Sequence, residues 1–383
     1  MDDLLLRELR ANPAYELVLF DRLAAGERRA LAALAREPGF YGVLRPREPA
    51  GPAVRSVDRD TALLFLTLRE PGGLPLYALA ALADAASRTV ARLVADGVLE
   101  VRCGDGFVSG AAALELFRSG SGDEAAGRLE SLSLAALRAA QRLPLDDPER
   151  LTWCLYAFNR QPLTPRWQRL LPDGSAVELH LGIAPGGANR ARLGRSWIRL
   201  AAEGWLSWKA RGRAAAGPSR PAATYKLYIS PAAESLADSF AAILEALAVA
   251  RAGQFKVGSN AQGLLRPDKI VAYFNGFEPL AEAASEVRRR FNGIPAQGVP
   301  FTSGIGSDGL LSWGVDPPAA EWVTSGASSW RLWLARRLAQ AILAARSSPA
   351  AGVEPWSFAL ERLRLEGVDT ATWTPTGRLW TES

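Results

Sequence analysis

The chain is short of the residues on which most metal and nucleophilic chemistry rests. Its 383 residues include two cysteines, one histidine and one methionine. Cys103 and Cys154 lie far apart and form no CxxC pair, which excludes a disulfide framework. With His180 as the single histidine, a zinc site of the usual Cys/His kind is excluded too. Lysine is scarce, and nearly all basic residues are arginine. No apolar run reaches the roughly 18 to 20 residues that span a bilayer. The opening Met1-Asp2-Asp3-Leu4 is acidic and lacks an apolar h-region, so no signal peptide is expected and the protein is expected to be cytoplasmic. P-loop, GxGxxG, GxSxG and HExxH motifs are missing. Ser-His-Asp catalysis would therefore have to rest on His180 alone.

What is present is ordinary for a folded protein: 48% apolar and 22% charged residues, enough for two or three domains. The net charge of +5 suits an anionic partner without specifying nucleic acid. Leucines at mostly 3-to-4 spacing predict helix over residues 1–40. Pro46, Pro49, Gly51 and Pro52 mark a connection, which makes 1–56 a helical N-terminal segment. From Val57 to Leu68, Leu76 to Ala83 and Arg88 to Asp96 the pattern predicts three helices. A hairpin with a Gly-Asp-Gly turn follows at 97–108. That order is the winged helix-turn-helix plan. Residues 57–145 are therefore expected to form a winged-helix-like docking domain, with DNA reading, peptide docking and a purely structural role all open. It also resembles the small winged-helix modules that hold leader peptides in peptide-modifying enzymes.

Asp146-Asp147-Pro148 predicts a helix start, with the main boundary near 145 and an α+β domain over 146–383. Residues 151–220 carry eleven basic side chains against three acidic ones, with Trp153, Trp167, Trp197, Trp205 and Trp208 among them. Such a mixture fits single-stranded nucleic acid, a phosphopeptide groove built on arginine forks, or a solvated basic face over core tryptophans. Val177 to Leu181 alternates around His180 as a strand would. Beyond it the pattern predicts strands at Tyr225–Ser230, Gln254–Gly258, Lys269–Phe274, Val299–Thr302 and Leu310–Gly314. Helices are expected at 233–252, 278–292, 330–346 and 356–365, before an extended tail at 368–380.

Lys226, Lys256 and Lys269 stand in or beside these apolar runs, where a lysine needs a reason. Each alone would be an edge-strand lysine facing water or a partner of a surface acid; Arg266 alone would be a loop residue in a surface ion pair, and Tyr228 and Tyr273 core aromatics. Together they suit another use. A partly desolvated lysine becomes a base near neutral pH, and surrounding cations can hold a phosphate and stabilise developing charge.

Tyr225-Lys226-Leu227-Tyr228-Ile229-Ser230 resembles the Lys-Phe-His-Ile-Ser strand of bacterial phosphothreonine lyases (SpvC/OspF type). Phe255-Lys256-Val257 resembles that family's Trp-Lys-Val strand, and Gly298-Val299-Pro300-Phe301-Thr302 its Gly-Ala-Gln-Phe-Thr strand. The run from Leu264 to Phe274, with Leu310 to Pro318, is similar to HopA-type effector-like lyases of class V lanthipeptide biosynthesis (LanY type). The resemblance spans roughly residues 150–380. It implies a phosphothreonine-lyase-like α+β domain that eliminates phosphate from phospho-Ser or phospho-Thr, leaving dehydroalanine or dehydrobutyrine. Lys256 matches the base, and Lys226 a phosphate-binding lysine. Arg266, Tyr273 and, less directly, Lys269 fit the remaining phosphate contacts. Tyr228 stands where the family has its acid histidine, which leaves open whether Tyr228, Lys226 or His180 is the acid or the phosphate departs without one. No cofactor or metal is implied. The implied partners are a phosphorylated precursor peptide and a Ser/Thr kinase; the competing reading is a non-catalytic binder of phosphopeptide or nucleic acid.

Overall fold

The computed structural model describes residues 2–32, 34–36, 39–48, 54–118, 127–212, 224–291, 293–317, 329–377 and 379. The expected helix over the first forty residues is corrected: this stretch is mostly strand and 3-10 turn. Strands β1 (Leu9–Ala11) and β2 (Tyr15–Leu19) precede the short helix α1 (Ala25–Ala30) and strands β3 (Phe40–Pro46) and β4 (Arg55–Asp58). The leucine spacing imitates a helix, but Asn12 and Pro13 break the segment. Asn12 reaches across to the carbonyl of Gly97 at 2.7 Å and fixes a turn instead. Strands β2, β3 and β4 form an antiparallel sheet.

The winged-helix order is present as α2 (Arg59–Thr67), α3 (Leu76–Leu82) and α4 (Ala86–Ala95), followed by the hairpin β5 (Leu99–Cys103) and β6 (Gly106–Val108). Asp58 caps α2 through the Thr61 amide at 2.7 Å. Gly104 supplies the left-handed turn of the hairpin, and β1 joins its other edge. Helices α5 (Leu114–Phe117), α6 (Arg128–Ala140) and α7 (Pro148–Tyr156) follow. The sequence predicts helix over 111–150 with a Gly/Ser-rich break at Ser119-Gly120-Ser121-Gly122, and that break lies outside the described residues. Asp147 caps α7, with Pro148 in its first turn as the sequence predicts.

Helices α8 (Pro165–Leu170), α9 (Gly174–His180) and α10 (Ala188–Ser196) lead into the large sheet. His180 therefore ends a helix, not a strand. Asp173 caps that helix, and Val177 and Leu181 are buried four residues apart while Leu179 is 73% exposed, which is a helical period. The remaining elements in chain order are β7 (Trp197–Leu200), β8 (Trp205–Ala210), β9 (Tyr225–Ile229), α11 (Leu236–Val249), β10 (Gln254–Gly258), α12 (Ala261–Leu264), β11 (Ile270–Phe274), α13 (Phe277–Arg290), β12 (Ser303–Ile305), β13 (Leu311–Val315), α14 (Trp330–Ser347), α15 (Pro355–Leu365), β14 (Val368–Asp369) and β15 (Thr374–Pro375). Strand β12 starts just past the expected 299–302. Phe301 has φ of 60° and donates its amide to Ser133 on α6, so Val299–Thr302 turns away from the ladder.

The large sheet is antiparallel throughout, in the order β12-β13-β9-β11-β10-β8-β7. One face carries Leu227, Ile229, Phe255, Val257, Ile270 and Ala272, buried with residues of α11 and α13 in one apolar core. A second core joins the N-terminal unit to α6, α7, α14 and α15. It runs through residue 145 without a break, from Leu137 and Ala140 to Leu151 and Leu155. On the sheet's other face Trp330 of α14 lies so close to Gly314 that a Cβ there would approach its ring to 2.7 Å. This contact seats α14 beside the strands. Among the described residues no helix is long and apolar enough to cross a membrane. The fold is α+β, as the sequence indicates.

Candidate active site

Strand register places the sequence-predicted side chains on one face. Lys226 lies opposite Tyr273 and Gly314, Tyr228 opposite Val271 and Ser312, and Lys256 opposite Val271 and Ser207. With a period of two, Lys226, Tyr228, Lys256 and Tyr273 all point away from the apolar core. Strands β9 and β10 are both interior, each flanked on two sides. The reading of these lysines as edge-strand residues is therefore corrected. All four lysines of the chain, Lys209, Lys226, Lys256 and Lys269, belong to this sheet or its connections.

The side chains line a pocket of about 420 Å³ together with Arg266, Asp268 and Asp316, closed by Trp153 and Tyr156 of α7 and Leu332 of α14. Lys256 has no ion-pair partner among the described residues. Its Nζ sits 4.1 Å over the Trp205 ring and 5.7 Å over that of Tyr273. Burial, and then the neighbouring Lys226, push its pKa down to about 8. Lys226 is treated differently: its Nζ lies 2.6 Å from Asp316, with both side chains 9% exposed.

Arg266 is held by Asp268 through two bonds of 2.8 Å and by the Tyr156 hydroxyl at 3.1 Å. Its pair with Asp268 is buried rather than superficial. Asp268 also meets Arg331 of α14 at 2.9 Å. Burial opposes ionisation of Asp268, but the two arginines outweigh it and hold the carboxyl well below its usual range. Arg331, 1% exposed, further donates to the carbonyls of Pro300 at 3.1 Å and Tyr156 at 2.9 Å. Burial raises the pKa of Tyr228 and Tyr273, with Asp316 adding to it, so both phenols stay protonated at neutral pH.

Two predicted residues lie elsewhere. Lys269 is fully buried outside the pocket, donating to the Pro231 carbonyl at 2.7 Å and to Gln297. Burial drops its pKa to about 7. His180 is not among the pocket's lining residues; burial lowers its pKa, against the pull of Asp238. Of the five tryptophans among the basic residues, Trp167, Trp197 and Trp208 are core and only Trp153 and Trp205 reach the pocket. Sequence reading missed Asp268, Asp316 and Tyr156 as pocket residues, and Arg331 as the partner behind Asp268. Arg331 had a signal: it precedes Leu334, Ala335 and Leu338 at helical spacing, on the apolar stripe where an arginine needs a partner.

The molecule is thus an α+β protein with a cationic pocket on the polar face of an antiparallel sheet. No family model and no curated protein matches it. Among solved structures it is similar to an effector protein from Pseudomonas syringae pv. syringae strain 61, at 13% identity and a TM-score of 0.39, covering 66% of this chain and 100% of that one. A second effector protein, from Pseudomonas syringae pv. tomato strain DC3000, is similar at 11% identity and a TM-score of 0.39, covering 65% of this chain and 98% of that one. Likeness at this level fixes no activity for this chain.

Proposed function

We propose that the protein is a lyase that eliminates phosphate from phospho-Ser or phospho-Thr in a peptide. The observation that carries this reading is the placement of one amine without a carboxylate partner, Lys256, in the same pocket as two fixed cations, Lys226 and Arg266. β-Elimination needs a base for the Cα proton and positive charge for the phosphate and the developing enolate. Lys256, with its lowered pKa, is the base. Lys226 and Arg266 hold the phosphate. With Lys256 neutral as the base, three cations in and behind the pocket, Lys226, Arg266 and Arg331, face two carboxylates, Asp268 and Asp316, an excess that favours a phosphate. The substrate is a precursor peptide phosphorylated by a partner Ser/Thr kinase, as the resemblance to class V lanthipeptide lyases implies. The products are dehydroalanine or dehydrobutyrine and phosphate.

The N-terminal unit offers a place for the rest of such a peptide. A cavity of about 530 Å³ runs between β4, one face of α4, α14 and α15. Arg55, Arg88, Arg92, Arg337 and Arg362 line it against Asp58, Asp96 and Glu366, which favours an acidic segment.

The test uses a synthetic phosphothreonine peptide and mass spectrometry. Wild type removes phosphoric acid from it; Lys256→Ala lowers the rate by about 10²- to 10⁴-fold. Tight binding without loss of phosphoric acid overturns the lyase reading. Loss that survives in Lys256→Ala overturns only the assignment of the base.

A further inference from the structure

Asp316 is anchored on both oxygens. One meets Lys226 at 2.6 Å, and the other accepts the Trp330 amide at the start of α14 at 3.2 Å. Its own amide donates to the Thr224 carbonyl, one residue before β9, at 2.9 Å. A carboxylate tied to β9, β13 and α14 at once has no freedom to swing toward a substrate. Burial raises its pKa and Lys226 pulls against that; it is a fixed carboxylate beside one of two amines that share a sheet face. The other charged or titratable groups around the pair are Tyr228, Tyr273, Lys256, Arg266 with its Asp268, Tyr156 and Arg331. Asp268 is occupied by two arginines. Asp316 is thus the carboxylate that distinguishes Lys226 from Lys256.

We infer that Asp316 is a positioning residue that fixes Lys226 as the ammonium donating a proton to the leaving phosphate, while Lys256, left without a carboxylate, serves as base. This rests on the lyase reading above. In the step, the Lys256 amine lone pair takes the Cα proton. The Cα–H electrons become the Cα=Cβ bond, the Cβ–O bond breaks, and the departing phosphate oxygen takes a proton from Lys226. One amine ends protonated and the other neutral, and exchange with water restores both. Tyr228, a buried phenol whose ionisation is disfavoured, is not needed as the acid.

The scarcity of lysine makes the inference measurable without turnover. With ¹⁵N-lysine label the full-length protein has four side-chain amine signals. An ammonium held by a buried carboxylate exchanges slowly enough for its N–H cross-peak to be seen. The Lys226 ammonium cross-peak is expected at pH 6 in wild type and is expected to vanish in Asp316→Asn. The same substitution is expected to move the Lys256 midpoint, about 8 in wild type, downward, because Asp316 raises it. With the phosphopeptide, Asp316→Asn lowers kcat about 10²-fold or more, and Asp316→Glu recovers part of the loss. A Lys226 cross-peak and Lys256 midpoint unchanged in Asp316→Asn overturn the positioning role, even if thermal stability drops. Both changes in a protein that never releases phosphate leave the positioning standing and remove the lyase reading and Lys226's donor role.

Discussion

Lys256 shows how a single residue ties stability to chemistry. Its pKa is lowered to about 8 by burial first, against about 10.4 for an exposed lysine. Between these values the unfolded chain binds more protons than the folded one, so stability rises with pH across that window. Below about pH 8 the full cost is present. Lys256→Met is therefore expected to stabilise the protein near neutral pH by roughly 1–3 kcal/mol, allowing for solvent screening, while abolishing elimination. Urea denaturation at pH 7 and pH 10 checks this, and the gain should shrink at the higher pH. The rate of elimination should rise with pH through about 8 as the amine loses its proton. Lys269 has a pKa lowered by burial in the same direction, to about 7, but differs in having two acceptors for its amine. Its amine satisfies Gln297 and a buried carbonyl, so Lys269→Met is expected to cost roughly 1–3 kcal/mol and to leave the KM for phosphopeptide unchanged. A raised KM in a folded Lys269→Met protein would return Lys269 to the phosphate-binding set.

At the scale of elements, α14 does most to shape the pocket. It rests on Gly314 through Trp330, supplies Leu332 to the pocket wall and sends Arg331 beneath it to Asp268. Arg331→Met strands Asp268 with one arginine fewer and frees two carbonyls, so it should destabilise by about 3–5 kcal/mol, read from the denaturant midpoint. The strands and helices from Tyr225 to Leu365 were largely legible, because apolar runs of five residues and helical stripes of eleven or more leave little ambiguity. Val299–Thr302 was not, since its left-handed Phe301 answers to Ser133 on a helix far away in sequence. The segment before residue 40 failed for a related reason. Its short strands are defined by partners at Leu99–Val101 and Phe40–Pro46, which local periodicity cannot report. Lys226, Lys256, Arg266 and the two tyrosines were found as a set through their order along the chain. The carboxylates that pair with them, Asp268 and Asp316, were not, because an aspartate beside a strand end carries no local mark.

For the whole molecule the important fact is that one apolar core joins residues near both ends of the chain. Leu4 and Leu9 share it with Trp330, Leu360 and Trp373. A fragment of residues 146–383 would leave the apolar faces of α14 and α15 open to water. It is expected to aggregate or to lose α14 packing, which limited proteolysis of the purified fragment would reveal. The same union places the arginine-lined cavity and the lysine pocket on either side of α14. Arg88→Glu with Arg92→Glu is expected to raise KM for a peptide with an acidic leader about tenfold while leaving kcat unchanged; an unaltered KM would remove the cavity from the docking surface.

The confinement of lysine to one sheet also makes the protein unusually addressable by covalent reagents. Among its four lysine amines, Lys209 is exposed, Lys269 is sealed in the interior and Lys226 is engaged by Asp316. Lys256 opens to a cavity and carries a depressed pKa, the condition under which an amine is nucleophilic near neutrality. An aryl aldehyde or sulfonyl fluoride bearing a phosphate mimic should therefore label Lys256 in preference to the other lysines, giving an inhibitor whose selectivity follows from amino-acid usage as much as from shape.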